Sequence, residues 1–589
     1  MATVPDGGAS RSVQSVAELL GRVSLWTELD DELRDEIAAV VEVEHVPAGG
    51  HVFRHGDPGD ALYLVMSGRL EVVNPAGTTI GVLGGGAAVG ELALLTGQPR
   101  TASVRAMRDT ELLRLDRLHF EQLLRANAEF AANLISMLGH RLAGTVERRT
   151  APERRGVVAV IGMTPELPVD LIVDDLQRTV ERWSSVGRLR AADHASDDDV
   201  ELGRALDRRE QVHDVVLLAA STNSDAAWRE FCLRQADRLL LVVDARDRPT
   251  DPADDRLLDD RLVGRDIAFV GVRPPTADAT APWLDRLRPE ARHWIGQGDD
   301  QRSGTARVAR RMFGRSIGIV FSGGGARGLA HIGVVSALRD AGIEIDRYGG
   351  TSMGAFVAAL FATGRTPEAV TDVLRHEVAE RRPFADYTVP RHALIRSRRA
   401  KRMFRRVFGE LQLEELPYDC FGVSADLITG DTLVHRRGPI RHVVGASMSL
   451  PGLAPPMPWA GRLMVDGGVV NNLPVDVMAD TGEGPVVAVE VMRRWQQEWE
   501  YRMDRARRSP RARPRSTPVP LPSLVETLSC SIGLGSRAEL DAARDRAWLT
   551  VVPELPDLGL LDWGRLDDAI AEGRRAAEVA LASQEHQST

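Results

Sequence analysis

Gly350-Thr351-Ser352-Met353-Gly354 is the stretch that decides how this 589-residue chain is read. An extended segment, Ile343 to Tyr348, precedes it, and a small apolar run, Ala355-Phe356-Val357-Ala358-Ala359-Leu360, follows at helical length. Strand, tight turn and helix with a serine at the apex is the layout of a nucleophile elbow. Gly350 and Gly354 keep side chains out of a crowded turn. The helix aims its N-terminal dipole and open N–H groups toward Ser352. The pentapeptide alone recurs by chance in large proteins, so its weight comes from two further glycine turns.

The first, Gly323-Gly324-Gly325-Ala326-Arg327-Gly328, follows the apolar run Ile317 to Phe321. After it, Leu329, Ile332, Val335 and Leu338 recur at helical spacing. Strand, glycine loop and helix make a nest of backbone N–H groups that binds an anion. The same glycines fit a dinucleotide site, which expects an acid about 20 residues on, and Glu344 and Asp346 stand near that place. The serine elbow that follows argues for an oxyanion hole instead. The second turn is Val465-Asp466-Gly467-Gly468, leading into Asn471-Asn472. An acid in a glycine turn also fits a structural Asx turn. The histidines weigh against that. A hydrolase of the α/β type orders its triad Ser, acid, His, yet the only histidine after Asp466 is His586, and Lys401 is the only lysine in the chain. His331, His376, His392, His435 and His442 would need a different chain order. A carboxylate acting directly on Ser352 is the economical solution.

With these motifs in hand, residues 315 to 480 resemble the patatin-like phospholipases. That family uses a Ser–Asp dyad, a GGGxRG oxyanion loop, a GxSxG elbow and a DGG or DGA turn, and all occur here in the family's order. Ala446-Ser447-Met448-Ser449-Leu450-Pro451-Gly452 and Phe421 to Leu427 resemble further family segments. The resemblance implies catalysis by Ser352 and Asp466. Gly323, Gly324, Gly325, Arg327 and Gly328 would form the oxyanion hole, Gly350 and Gly354 the elbow, and Gly467 and Gly468 the acid turn. No metal and no catalytic cofactor are implied.

Residues 46 to 104 read as short strands separated by glycine, a small β-barrel or jelly roll. Gly90-Glu91-Leu92-Ala93-Leu94-Leu95 and Gln98-Pro99-Arg100-Thr101 follow. A helical turn behind Gly90 would offer N–H groups to a phosphate that Arg100 neutralises, and Glu91 could accept from a ribose hydroxyl. These residues, with His51 to Asp60, resemble the cassette of cyclic nucleotide-binding domains. The resemblance implies that Gly90, Glu91, Leu92, Arg100 and Thr101 hold cAMP or cGMP as a regulatory ligand. A helical run from Leu112 to about Arg149 is expected to cap the nucleotide.

Residues 156 to 300 alternate β-rich runs (Val157–Ile161, Val215–Ala219, Leu239–Val243, Ala268–Val272) with helix-length polar segments, an α/β pattern. No P-loop follows the first strand. Trp228, Cys232, Arg234, Gln235, Ala236 and Asp237 resemble the segment between regulatory and catalytic parts in bacterial proteins of the neuropathy target esterase type. The chain departs from that type in having one recognisable nucleotide module and no N-terminal membrane anchor. Arg391 to Arg406 is basic with Leu394, Ile395, Met403 and Phe404 interleaved; it fits a solvated helix face or a surface for anionic head groups. Arg502 to Arg515 reads as a disordered tether. Leu566, Ile570, Ala577 and Leu581 predict an amphipathic helix from about Arg565 to Leu581 packing on the catalytic domain.

A net charge of −10 argues against nucleic-acid binding. Cys232, Cys420 and Cys530 are too few and scattered for a disulfide or zinc framework. Met1 to Arg11 lacks a signal-peptide core, and no run of about 18 apolar residues suggests a membrane span. The expected organisation is multidomain: a nucleotide-binding β-barrel with flanking helices (1–150), an α/β linker (151–312), an α/β patatin-like hydrolase (313–480) and an extension with a basic loop and a packing helix (481–589). The expected activity is hydrolysis of lysophospholipid or phospholipid esters, regulated by cyclic nucleotide, in the cytoplasm with peripheral membrane contact. The alternative is a non-catalytic, nucleotide-responsive lipid-binding scaffold. A nucleotide-controlled transcription factor would need a helix-turn-helix after the barrel, where an α/β region stands instead.

Overall fold

Alternating burial along Ala61–Ser67 sets the architecture of the N-terminal third. Ala61, Tyr63 and Val65 point into the barrel with Leu70, Val104 and Leu112. Leu62 and Leu64 point the other way, onto Leu113, Leu115, Phe120, Phe130 and Leu134. A strand buried on both faces thus joins a barrel to covering helices. The computed structural model describes residues 37–147, 156–193, 199–249, 264–298, 300–492, 527, 537–555 and 558–588. Met1–Arg11, Arg502–Arg515 and Cys530 lie outside the described residues. Packing separates the chain into two units, one of residues up to Ala268 with Trp283–Ala291, the other of Phe269–Pro282 with Arg292 onward.

In the first unit the barrel is two four-stranded antiparallel sheets. One orders Glu42–Val46, Thr110–Asp116, Ala61–Ser67 and Ala88–Val89; the other orders His51–Phe53, Ser103–Ala106, Arg69–Val73 and Thr79–Gly84. The expectation of a helix from Leu112 is corrected. Thr110–Asp116 is a strand, because Leu112, Leu113 and Leu115 divide between the two cores while the backbone pairs with Ala61–Ser67. The helix begins only after Asp116, whose carboxylate accepts the His119 N–H at 2.9 Å. Helices Arg117–Ala126 and Ala128–Glu147 follow.

The α/β part of this unit has parallel strands in the order Val186–Arg188, Val215–Ala220, Gly156–Gly162 and Arg238–Asp244. The short first of these is one the sequence pattern missed. The expected strand at Ala268–Val272 lies at Arg265–Val270, and Val272 is exposed. Barrel and α/β sheet are fastened by a charge cluster. Arg69 and fully buried Arg108 pair with Glu210 and Asp237, and Asp237 also accepts the Val157 N–H at 2.8 Å. Burial beside this cluster pushes Asp207 up to about 7.

The second unit carries an eight-stranded sheet. Its order is Met457–Trp459, Arg462–Asp466, Asp419–Asp426, Ile345–Thr351, Ile317–Phe321, Val486–Val489 and Leu549–Val551, with Thr432–His435 also pairing with Asp419–Asp426. The five strands from Asp419–Asp426 to Leu549–Val551 in that order run parallel. The sheet therefore extends past residue 480 by two strands. Helix Met353–Ala362 is buried on every side, as an apolar sequence without a polar face requires.

The C-terminal helix Leu566–Ser588 packs on helix Ala330–Asp340 with Leu566, Ala569 and Ala577 buried. Two glycines face the opposing backbone at this crossing. A methyl on Gly573 would lie 2.0 Å from the Ala330 carbonyl oxygen, and one on Gly333 would lie 1.9 Å from that of Ile570. Gly573→Ala should force the helices apart and destabilise this unit by about 1–3 kcal/mol. Thermal denaturation measures it; an unchanged midpoint would contradict the close crossing.

Candidate active site

Strand Ile345–Thr351 delivers Ser352 to the C-terminal end of the parallel strands, and helix Met353–Ala362 begins directly after it. Ser352 sits at φ 56°, ψ −124°, a strained conformation for a residue with a side chain, costing of order 1–3 kcal/mol. Neighbouring backbone leaves no slack. A Cβ at Gly350 would lie 2.6 Å, and one at Gly354 2.3 Å, from the Phe321 carbonyl oxygen. The Ser352 N–H donates to the Ser447 hydroxyl at 2.8 Å, and that hydroxyl donates to the Val423 carbonyl. Ser447 is fully buried, so the chain holds Ser352 from below as well as through the turn.

Strand Arg462–Asp466 brings in the acid. Asp466 is buried, it shares one pocket with Ser352, and its Oδ1 accepts the Gly468 N–H at 2.8 Å. Burial pushes Asp466 up to about 6, with the neighbouring Ser352 hydroxyl and the Gly468 N–H pulling partly back. The carboxylate is thus ionised at neutral pH yet basic enough to take a proton.

The glycine loop lies alongside. Gly323 donates its N–H to the Asn472 carbonyl at 3.3 Å, and a Cβ on it would lie 3.0 Å from that of Ser352. Ala326 donates to Leu560 and Arg327 donates to Gly324 through the backbone. Among the described residues no hydrogen bond occupies the N–H groups of Gly324 and Gly325. The left-handed φ of 55° at Gly325 brings the loop so close to the chain that a Cβ would lie 2.3 Å from the Leu560 carbonyl oxygen. Arg327 braces this approach, its Nε donating to the Leu558 carbonyl at 2.8 Å. Gly328 and Gly467 stand against Met353 and Val423.

Ser352, Asp466, Gly323, Gly324, Gly325 and Gly468 open onto a pocket whose walls are otherwise almost wholly apolar, with Phe384, Ile395, Met448, Leu453, Leu560 and Trp563 prominent. Phe384 and Trp563 stack at 5.0 Å. Such walls suit an acyl chain. The Leu558–Trp563 segment and Ser447 are contributions that sequence reasoning missed. Ser447 stood in a quoted motif without a role, and nothing local marks Leu560 as a neighbour of Gly325.

Among the described residues no histidine lines this pocket. His331 is buried, bonded to the Ser322 carbonyl at 3.0 Å, and pushed down to about 4 by burial, so it is neutral. His435 meets the Ser424 hydroxyl at 2.7 Å and is likewise pushed down to about 4. His376 binds Glu380, His442 stands against Trp459, and His392 and Lys401 are exposed.

In the first unit Gly90 and Arg100 of the cassette meet. Gly90 takes φ 96° ahead of helix Glu91–Thr96. Arg100 is buried; it donates to the carbonyls of Gly90 (2.9 Å) and Ala61 (2.8 Å), pairs with Asp60 (3.1 Å), and lies 4.2 Å over the Phe53 ring. Glu91 is buried, while Leu92 and Thr101 are exposed. Asp60, which orients Arg100, was not among the residues assigned from sequence.

The patatin-like phospholipase family profile matches residues 319–479, and the cyclic nucleotide-binding domain profile matches 43–127. An uncharacterized NTE family protein of Mycobacterium tuberculosis is 35% identical over 575 residues, which cover 96% of each chain. Human patatin-like phospholipase domain-containing protein 6 is 30% identical over 514 residues, 76% of this chain and 37% of that one, so this chain spans little more than a third of that relative. A solved cyclic nucleotide-binding domain from Methylobacillus flagellatus is 27% identical and covers 25% of this chain and 86% of that one, with a TM-score of 0.22.

Ser447→Ala leaves the Ser352 N–H without its buried acceptor, a loss of about 1–3 kcal/mol. It should lower kcat for ester hydrolysis by about 10- to 100-fold with little change in KM. Unaltered kcat would show that Ser447 does not position Ser352.

Proposed function

The chain belongs to the NTE family and is a lipid esterase with a patatin-like phospholipase domain behind a cyclic nucleotide-binding domain; we propose that it hydrolyses lysophospholipid through a Ser352–Asp466 dyad under cyclic-nucleotide control. The observation that carries the reading is the buried Asp466 carboxylate sharing one apolar pocket with Ser352. Asp466 takes the hydroxyl proton as Ser352 Oγ attacks the ester carbonyl carbon. The carbonyl electron pair moves onto oxygen, which the Gly324 and Gly325 N–H groups stabilise; one such donor is typically worth about 100- to 1000-fold in rate. Collapse expels the glycerol oxygen, which takes the proton back from Asp466. A water, deprotonated by Asp466, then attacks the acyl-enzyme carbonyl carbon; the bond to Ser352 Oγ breaks, Oγ takes the proton back from Asp466, and fatty acid leaves. Phospholipid with two acyl chains is the second substrate of this class.

The regulatory half assigns the cyclic phosphate to Arg100 and the ribose 2′-hydroxyl to Glu91, with Gly90, Leu92 and Thr101 completing the site for cAMP or cGMP. Asp60 supports this by holding the Arg100 guanidinium in the cassette. The functional division follows as a nucleotide-binding part at 1–150, a linker at 151–312 and a hydrolase that runs from 313 past 480 into the 481–589 segment, whose strands Val486–Val489 and Leu549–Val551 complete its sheet. Three scattered cysteines, two of them buried free thiols, suit a reducing cytoplasm. Among the described residues no helix is long and apolar enough to cross a membrane, and contact with lipid is peripheral in this reading. Nucleic acid is not a partner.

The test is fatty-acid release from lysophosphatidylcholine. Wild type should release it and Ser352→Ala should not; labelled lipid bound but never cleaved would favour a scaffold. Because the base must be ionised, kcat/KM on a soluble ester should be flat above pH 7 and fall as pH drops through about 6. Asp466→Asn should lose at least about 1000-fold and the acid limb with it. Arg100→Ala should retain basal release and lose any response to cAMP or cGMP; a response that survives would remove Arg100 from the nucleotide site.

A further inference from the structure

Ten of the residues from Arg381 to Gly409 are Lys or Arg and one, Asp386, is acidic, in a chain whose net charge is −10. Positive charge is therefore concentrated here against the trend of the whole molecule. Helix Arg398–Phe408 buries Ala400, Met403, Phe404 and Phe408. Phe404 and Phe408 stand edge-on to Phe356 of the helix behind Ser352, at 5.6 and 5.7 Å. Of the apolar residues interleaved in this stretch, Ile395, Met403 and Phe404 are buried. What faces solvent is entirely basic: Arg398, Arg399, Lys401, Arg402, Arg405 and Arg406. Arg406 pairs with Glu377. Among the described residues no ion pair holds the other five.

This arrangement opposes helix stability. The first turn has no acidic residue and Ser397 gives no side-chain cap; the one carboxylate at the positive end of the dipole is Asp386, which accepts the Arg399 N–H at 3.1 Å and stands against a cluster of cations. Like charges at Arg398–Arg402 and Lys401–Arg405 repel at i,i+4 spacing. An anionic surface outside the protein would relieve both effects.

The segment just before the helix connects this face to the pocket. Phe384 and Ile395 line the acyl pocket. Between them the chain turns back on itself, with Tyr387 paired to Ile395, Thr388 N–H donating to Leu394 O (2.9 Å) and Arg396 N–H to Asp386 O (3.0 Å). Leu394 and Ile395 are tied to Gly452 and Leu453 (3.0 and 2.9 Å), so the loop has a fixed root. Its tip presents Tyr387 at 63% and Val389 at 86% exposure, with Pro390, Arg391 and His392 also exposed. Apolar groups at a tip rimmed by cations, rooted in an acyl pocket, match a headgroup layer above an acyl layer.

We propose that loop Asp386–Arg396 and the basic face of helix Arg398–Phe408 form one docking surface for an anionic phospholipid bilayer, with Tyr387 and Val389 entering the interface. The proposal rests on the lipid-esterase reading for its purpose, but the surface binds whether or not Ser352 reacts. Bilayer charge attracts each Lys or Arg, and each is worth about fivefold in partition at moderate salt.

The experiment is cosedimentation of full-length Ser352→Ala protein with vesicles. One set is phosphatidylcholine with about one-third phosphatidylglycerol, the other pure phosphatidylcholine. Strong, salt-sensitive binding to the first and weak binding to the second is expected. Arg398→Gln, Arg399→Gln, Arg402→Gln and Arg405→Gln combined should weaken partition by at least about 100-fold. In the Ser352 background the same four changes should leave hydrolysis of a soluble short-chain ester within about twofold, reporting an intact fold. Undiminished binding of the fourfold variant, or equal binding to both vesicles, would overturn the proposal. Absent ester hydrolysis with charge-dependent binding intact would sink the esterase reading and leave the surface standing.

Discussion

Everything at this site depends on how closely two parallel strands approach. The Phe321 carbonyl at the end of Ile317–Phe321 occupies the space where a side chain at 350 or 354 would stand. That contact turns the chain sharply enough to set Ser352 at positive φ. The same turn starts an all-buried helix, so the strain is held by a core that has no other packing to adopt. The glycine loop leaves the sheet from the same strand end, which is why its N–H groups and the serine share one small volume.

The acid arrives from an antiparallel strand, Arg462–Asp466, on the other flank of Asp419–Asp426. Its burial raises its proton affinity, while the Ser352 hydroxyl and the Gly468 N–H lower it again in part. The third wall comes from far along the chain. Leu558 and Leu560 accept hydrogen bonds from the oxyanion loop, Trp563 stacks on Phe384, and the glycine crossing at Gly333 and Gly573 locks the following helix in place. The C-terminal segment is therefore part of the site and couples its integrity to a helix contact remote from Ser352.

Much of this was legible from sequence because the signals are local. Gly350, Gly354, the Gly323–Gly328 cluster and the Asp466 turn each announce a backbone constraint within a few residues. The cassette from Gly90 to Thr101 does the same, and so does the spacing of Leu566, Ile570, Ala577 and Leu581. The illegible features are those made by long-range pairing. Ser447 matters because Ser352 lies above it, and Asp60 because Arg100 reaches back to it. Arg69, Arg108, Glu210 and Asp237 look like surface charges until folding buries them together. Leu112 to Leu115 carried an ambiguous apolar run, which strand pairing resolved against helix. Met403 and Phe404 likewise gave no sign of which side was the core.

The central claim is that Asp466 activates Ser352 as a nucleophile, and labelling by a fluorophosphonate, which reacts only with an activated serine, tests it most directly. Intact protein should take up one phosphonyl group, mapped by mass spectrometry to Ser352, and Asp466→Asn should suppress the reaction while retaining the fold. Labelling at another residue, or labelling of Ser352 at an undiminished rate without Asp466, would contradict the account.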